Sequence, residues 1–359
     1  MNKNTFTPNG LPTLIGSLPA ENHQQALDWI LESTPAIPLW PQLPAIPQER
    51  MLGQFIEGIP GIFETAESVY FDCETENFPE EQLAFFEEYL QVSEDSGALL
   101  GSRFQTSTER ANGLHLLGSS ANQLQGLVAV KGQITGPFTM LTGITDVNKR
   151  LGYYEPAFRD LVVKGLALKA AWQTQFLKNV YDLPVLLFID EPAMAGLGSS
   201  SFISISVDDI SQDLAEVTAG IHGAGGLAGV HVCANTDWHI LLSSAIDIIS
   251  FDAYSFFDKF ITCKEEILSF LDRNGIIAWG IIPTSEAEHI LQETPNTLIA
   301  LWEKQAALLV SDKKELSSIL SRTIITPSCG TGSLTPDLAK RVLMLTREVS
   351  AGLRKKHVL

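Results

Sequence analysis

Leu227-Ala-Gly-Val-His-Val-Cys-Ala-Asn is the stretch from which the rest of the chain can be read. It is short, apolar and β-branched, and Gly225-Gly226 breaks the chain just before it, so it predicts a buried strand. Alternate residues of a strand face the same way. His231 and Cys233 would therefore aim an imidazole and a thiol at one point. Such a pair fits two settings. Cysteine is among the most buried residue types, and a histidine beside it can be an ordinary core residue. The same pair also suits a zinc ion. The neighbouring strands decide between them.

Working outward, short apolar runs alternate with amphipathic segments. The strand candidates are Leu11–Leu18, Ile37–Leu43, Val128–Thr135, Leu183–Ile189, Leu227–Cys233, Ile246–Asp252, Ile276–Ile282 and Thr323–Thr326. Helix starts are marked between them. Thr262 with Glu265 reads as a capping box, with Gly275 beyond the helix end. Thr294-Pro295 and Thr335-Pro336 each set a capping threonine before a first-turn proline. Ser206 is placed to cap a helix running toward Gly223. Strands and helices in alternation predict an α/β fold, a single (β/α)8 TIM barrel over residues 1–359. Residues 44–127 are too many for one connection. They predict a helical insertion between the second and third strands, with a helix over Pro79–Gln91.

Working residues of such barrels lie at the C-terminal ends of the strands. Gly16-Ser17 ends the first predicted strand, Asp190-Glu191-Pro192 the fourth, His231 and Cys233 the fifth, and Asp252 the sixth; Cys329 follows the eighth. Two thiolates, an imidazole and a carboxylate make a tetrahedral zinc set, here drawn from separate strands. A metal held by three such protein ligands can take a thiol substrate in its fourth position, lower its pKa and present it as a nucleophile.

Composition bounds the partners. The chain has 359 residues, 45% hydrophobic and 18% charged, which suits a globular protein with a sizeable core. Its net charge of −18 repels phosphate backbones and argues against nucleic acid. No run approaches the roughly 18 apolar residues of a membrane span. The start, MNKNTFTPNG, has no apolar signal-peptide core. The expectation is a cytoplasmic protein with no membrane contact. Its four cysteines would then be free thiols, not a disulfide framework.

Ile15-Gly-Ser, Gly136-Pro-Phe-Thr, Ile189-Asp-Glu-Pro-Ala, His231-Val-Cys, Ile249-Ser-Phe-Asp and Ser328-Cys-Gly, in that order, resemble the C-terminal catalytic barrel of cobalamin-independent methionine synthase. They are also similar to the wider superfamily that holds corrinoid:thiol methyltransferases and uroporphyrinogen decarboxylase. The resemblance spans roughly residues 10–350. It implies zinc on His231, Cys233, Asp252 and Cys329. It implies homocysteine near Gly16 and Ser17, with its ammonium met by Asp190. Asp190 and Asp252 are the candidate catalytic carboxylates.

Departures from the family pattern bear on the methyl donor. The chain is about half the length of the folate-using enzyme, whose duplicated N-terminal half has no counterpart here. The stretch after Gly136-Pro137 has no tryptophan to stack on a pterin, and Ala278-Trp-Gly-Ile-Ile-Pro-Thr has no proton-relay histidine. The acidic ligand position is Asp252, not a glutamate. These departures favour a methyl-corrinoid, carried on a separate protein, over methyltetrahydrofolate. The reading is a zinc-dependent S-methyltransferase making methionine from homocysteine. The alternatives are another thiol acceptor such as coenzyme M, or a uroporphyrinogen decarboxylase-like barrel without metal.

Overall fold

The structure is a computed structural model that describes residues 6–65, 68–197, 202, 204–310 and 315–357. A short hairpin, β1 (Ile62–Glu64) and β2 (Val69–Phe71), stands apart from the main sheet. The main sheet is parallel, in the order β3 (Val130–Thr135), β4 (Val185–Asp190), β5 (Leu227–Val232), β6 (Ile248–Phe251), β7 (Ile276–Ile282) and β8 (Thr323–Pro327). These strands are near-continuous apolar runs, buried on both faces, as a parallel sheet covered by crossover helices requires. The covering helices include Pro156–Tyr181, Val207–Gly223, Pro295–Ala306 and Pro336–Lys356.

The first two predicted strands do not form regular ladders. Leu11–Leu18 and Ile37–Leu43 meet their neighbours through single parallel bridges, Pro12 with Ile325, Ser17 with Gln42, and Leu39 with Lys131. The cause is local. Pro12, Pro38 and Pro41 have no N–H to give a ladder. Scattered bonds remain: Thr13 N–H donates to Ile325 O at 3.0 Å, Leu18 N–H to Gln42 O at 3.0 Å, and Lys131 N–H to Pro38 O at 2.9 Å. The two edge strands of the sheet, β8 and β3, are thus each reached by one of these segments, and the sheet curls as a partial (β/α) barrel.

Most helix signals hold. Thr294 and Thr297 form a capping box, and Thr335 accepts from Leu338 N–H. Ser206 occupies the N-cap of Val207–Gly223 without a side-chain bond. The expected capping box at Thr262 is absent. Thr262 lies in a 3-10 turn and its hydroxyl donates back to Lys259 O, so the helix Lys264–Asp272 starts two residues later. Residues 44–127 hold the helices Phe78–Glu94 and Asn112–Ser119 together with the β1–β2 hairpin, which the sequence reading missed.

The inner face of the sheet has two halves. Toward the N-terminal ends of the strands, Ala129, Phe188, Ile248, Ala278 and Ile324 pack with Leu11 and Ile37 in one buried cluster. Two residues further along, same-facing positions turn polar: Lys131, Asp190, Ser250 and Thr326, all buried, with Thr13 beside them. His231 joins this level from β5. The apolar plug fills one end of the interior, and the buried polar residues lie toward the other.

Candidate metal centre

Strand register builds the centre. Across the sheet, Thr135 pairs with Asp190, Asp190 with His231, and His231 with Ser250. His231 Nδ1 lies 3.0 Å from Ser250 Oγ. With its proton donated there, the ring turns a lone pair outward on Nε2, which is buried and has no hydrogen-bond partner. Burial, and after it the charge of Lys131, pushes His231 down to about 3, so the ring is neutral near pH 7. A buried, unbonded imidazole nitrogen is costly unless something takes its lone pair.

Cys233 and Cys329 supply that setting. One ligand atom from each of His231, Cys233 and Cys329 lies within 4.8 Å of the others. Contact with the Cys329 thiol holds Cys233 below the usual thiol range, against burial and the charges of Asp190 and Asp252. The same contact, together with burial, pushes Cys329 up. Of the bare pair, Cys233 is thus the more easily ionised and Cys329 the less, and a divalent cation would favour ionisation of both.

Cys329 lies just past β8 in a loop fixed from two sides. Ser328 N–H donates to Ile282 O at 2.8 Å, and Thr331 N–H donates to Ser17 O at 2.9 Å. Ser17 Oγ accepts from Gly332 N–H at 3.3 Å. A Cβ on Gly330 would run into Ser17 Oγ, so a larger residue there would displace that side chain. Gly16 and Ser17 therefore lie against the Cys329 loop.

Asp252 is not part of the three-residue cluster. Its Oδ1 accepts Ser255 N–H at 2.8 Å and caps the helix Ala253–Phe260. Burial raises its pKa, and the bonds from Ser255 and Tyr254 partly reverse this. The expected four-residue set is therefore brought together as three, with the carboxylate committed to a helix start.

Asp190 ends β4, 8% exposed, and its Oδ1 has no partner. Burial pushes its pKa up to about 7, with Lys131 pulling the other way. Glu191, next in sequence, has a structural task. It accepts Phe138 N–H at 3.0 Å, Thr139 N–H at 2.8 Å and Thr139 Oγ1 at 2.6 Å, holding the start of the helix Pro137–Gly143. Gly136 leaves room for that carboxylate.

Sequence reasoning missed Ser250, Lys131 and Thr326. Each carried a signal: a polar residue on the inner parity of a strand that is buried throughout. Ser250 is two residues before Asp252 and so faces the same way.

No family model matches the chain. No curated protein matches it either. Among solved structures, a similar chain is a Listeria monocytogenes protein provisionally assigned as a vitamin-B12-independent methionine synthase. It is 17% identical with a TM-score of 0.42, over 62% of this chain and 64% of that one. The alignment thus spans less than two-thirds of that protein's length.

Proposed function

We propose that this chain is a zinc-dependent S-methyltransferase acting on a thiol, with homocysteine as acceptor, methionine as product and a methyl-corrinoid as donor. One observation carries the reading: a buried His231 Nε2 without a partner, on a ring whose Nδ1 is held by Ser250, grouped with the sulfurs of Cys233 and Cys329 within 4.8 Å. One nitrogen and two sulfurs are a borderline-soft donor set that fits zinc. We further propose that Leu11–Leu18 and Ile37–Leu43 take the places of the first two strands of a single (β/α)8 barrel.

His231, Cys233 and Cys329 would hold the metal. When bound, zinc lowers the pKa of a substrate thiol so that it is nucleophilic near neutral pH. The remaining work falls to the chain. Asp190 offers its unpartnered Oδ1 to the ammonium of the substrate. Gly16 and Ser17, against the Cys329 loop, flank the same space. Asp252 adds negative charge beside Cys233 while its own oxygen stays on Ser255. The apolar plug beneath keeps water from the polar level. Two working thiolates call for a reducing compartment such as the cytoplasm.

Asp190 also bears on the choice of thiol. An unpartnered carboxylate oxygen favours an ammonium-bearing acceptor over a sulfonate such as coenzyme M. The corrinoid donor rests on sequence: no tryptophan after Gly136-Pro137 and no histidine in Ala278-Trp-Gly-Ile-Ile-Pro-Thr.

The test combines metal analysis of protein purified without chelator with a methionine assay on homocysteine and methylcobalamin. One zinc per chain and methionine formation are expected. Protein that binds no zinc even when supplied with it overturns the reading. Zinc-loaded protein that methylates a different thiol, and not homocysteine, replaces the acceptor.

A further inference from the structure

Lys131 is a cation that the site, as described so far, does not use. It stands on the inner face of β3, 0% exposed. Its Nζ donates to Ile15 O at 2.6 Å and to Gln133 Oε1 at 3.3 Å, and lies 4.6 Å from the centre of the Phe188 ring. Ile15 immediately precedes Gly16-Ser17. The same ammonium is the charge that offsets the burial of Asp190, with no direct bond between the two. This side chain thus touches the Ile15 carbonyl directly and stands over the Phe188 ring, which faces the same interior as Asp190 two residues on. A buried charge is expensive unless it is matched, and neutral contacts would serve equally well as a strut.

We propose that Lys131 is a positioning residue of this site: through the Ile15 carbonyl and Asp190 it sets a preference for thiols that carry an α-ammonium. The inference rests on the function proposed above and names what that site selects. Lys131 touches no substrate. It holds the Ile15–Ser17 segment in place and keeps a counter-charge near Asp190, whose free oxygen does the recognising.

The experiment measures binding, by calorimetry, of homocysteine and of its des-amino counterpart 4-mercaptobutanoate to the zinc-loaded protein. The expected wild-type preference for homocysteine is about tenfold or more. Lys131→Met should bring the two affinities close together with zinc content unchanged, and Lys131→Arg should keep most of the preference. Lys131→Gln, which retains a donor for Ile15 but no charge, should also lose it, and it carries the test if the methionine variant does not fold. In an Asp190→Asn background, Lys131→Met should change the preference no further. A wild-type preference in both neutral variants overturns the role of Lys131 and leaves the proposed function standing. Wild-type protein that loads zinc but binds neither thiol overturns the proposed function, and this inference with it.

Discussion

Ile248 and Ser250 stand two residues apart on β6 and face the same interior, as do Ile324 and Thr326 on β8. The first of each pair belongs to the apolar plug. The second belongs to the level of Lys131, Asp190 and His231. One half of the interior gains stability from burial, on the order of 1.5–3 kcal/mol for each large side chain. The other half holds buried polar atoms without partners, at His231 Nε2, Asp190 Oδ1 and Thr326 Oγ1, each a cost to the fold. Stability and chemistry are thus segregated by a step of two residues on the same strands.

This division is easiest to break at its polar end. Cys329→Ser should abolish both zinc binding and methyl transfer while circular dichroism still reports a folded sheet; stoichiometric zinc in that variant would remove Cys329 from the centre. At the apolar end, Ile248→Ala should cost about 2–5 kcal/mol in denaturant unfolding and leave zinc per folded chain unaltered. Loss of metal at that position would mean that the two levels are mechanically one. Two residues on, Ser250→Ala should reach the metal as well as the fold. It leaves His231 Nδ1 buried without a partner, so zinc affinity measured by chelator competition should fall about 10–100-fold, with about 1–3 kcal/mol lost in unfolding free energy. Unchanged affinity would show that the ring needs no hydroxyl to orient it. The smallest effect is expected at Thr326→Val. Its Oγ1 is buried and unpartnered, so the variant should be neutral or up to about 1 kcal/mol more stable. A clear loss of stability would mean that this hydroxyl has a partner in solution.

Much of this was legible in the sequence, and the exceptions have physical causes. Uninterrupted apolar runs mark the strands of the main sheet to within a residue or two, because burial on both faces leaves few alternatives. Gly16, Ser17, Asp190, His231, Cys233 and Cys329 could be named because strand ends and i, i+2 parity locate them. Leu11–Leu18 and Ile37–Leu43 have the hydropathy of full strands yet make only single bridges, since hydropathy does not register the missing N–H of Pro12, Pro38 and Pro41. The family resemblance implies Asp252 as a ligand, and in the structure its Oδ1 accepts Ser255 N–H, a competition between capping and coordination that spacing alone leaves open. The β1–β2 hairpin was hidden by its three-residue strands.

The hydrogen bond from Thr331 Oγ1 to Ser17 O spans 314 positions of the chain. It also fixes the loop that bears Cys329. During synthesis Ser17, His231 and Cys233 all leave the ribosome before Cys329 and Thr331, so the Ser17 segment waits 314 positions for its partner. A nascent chain that ends before Cys329 therefore offers this group an imidazole and one thiol. On the proposed function, metal capture would wait until β8 has joined the sheet. Bound zinc would then report that β8 is in place, and chains without it would stay empty.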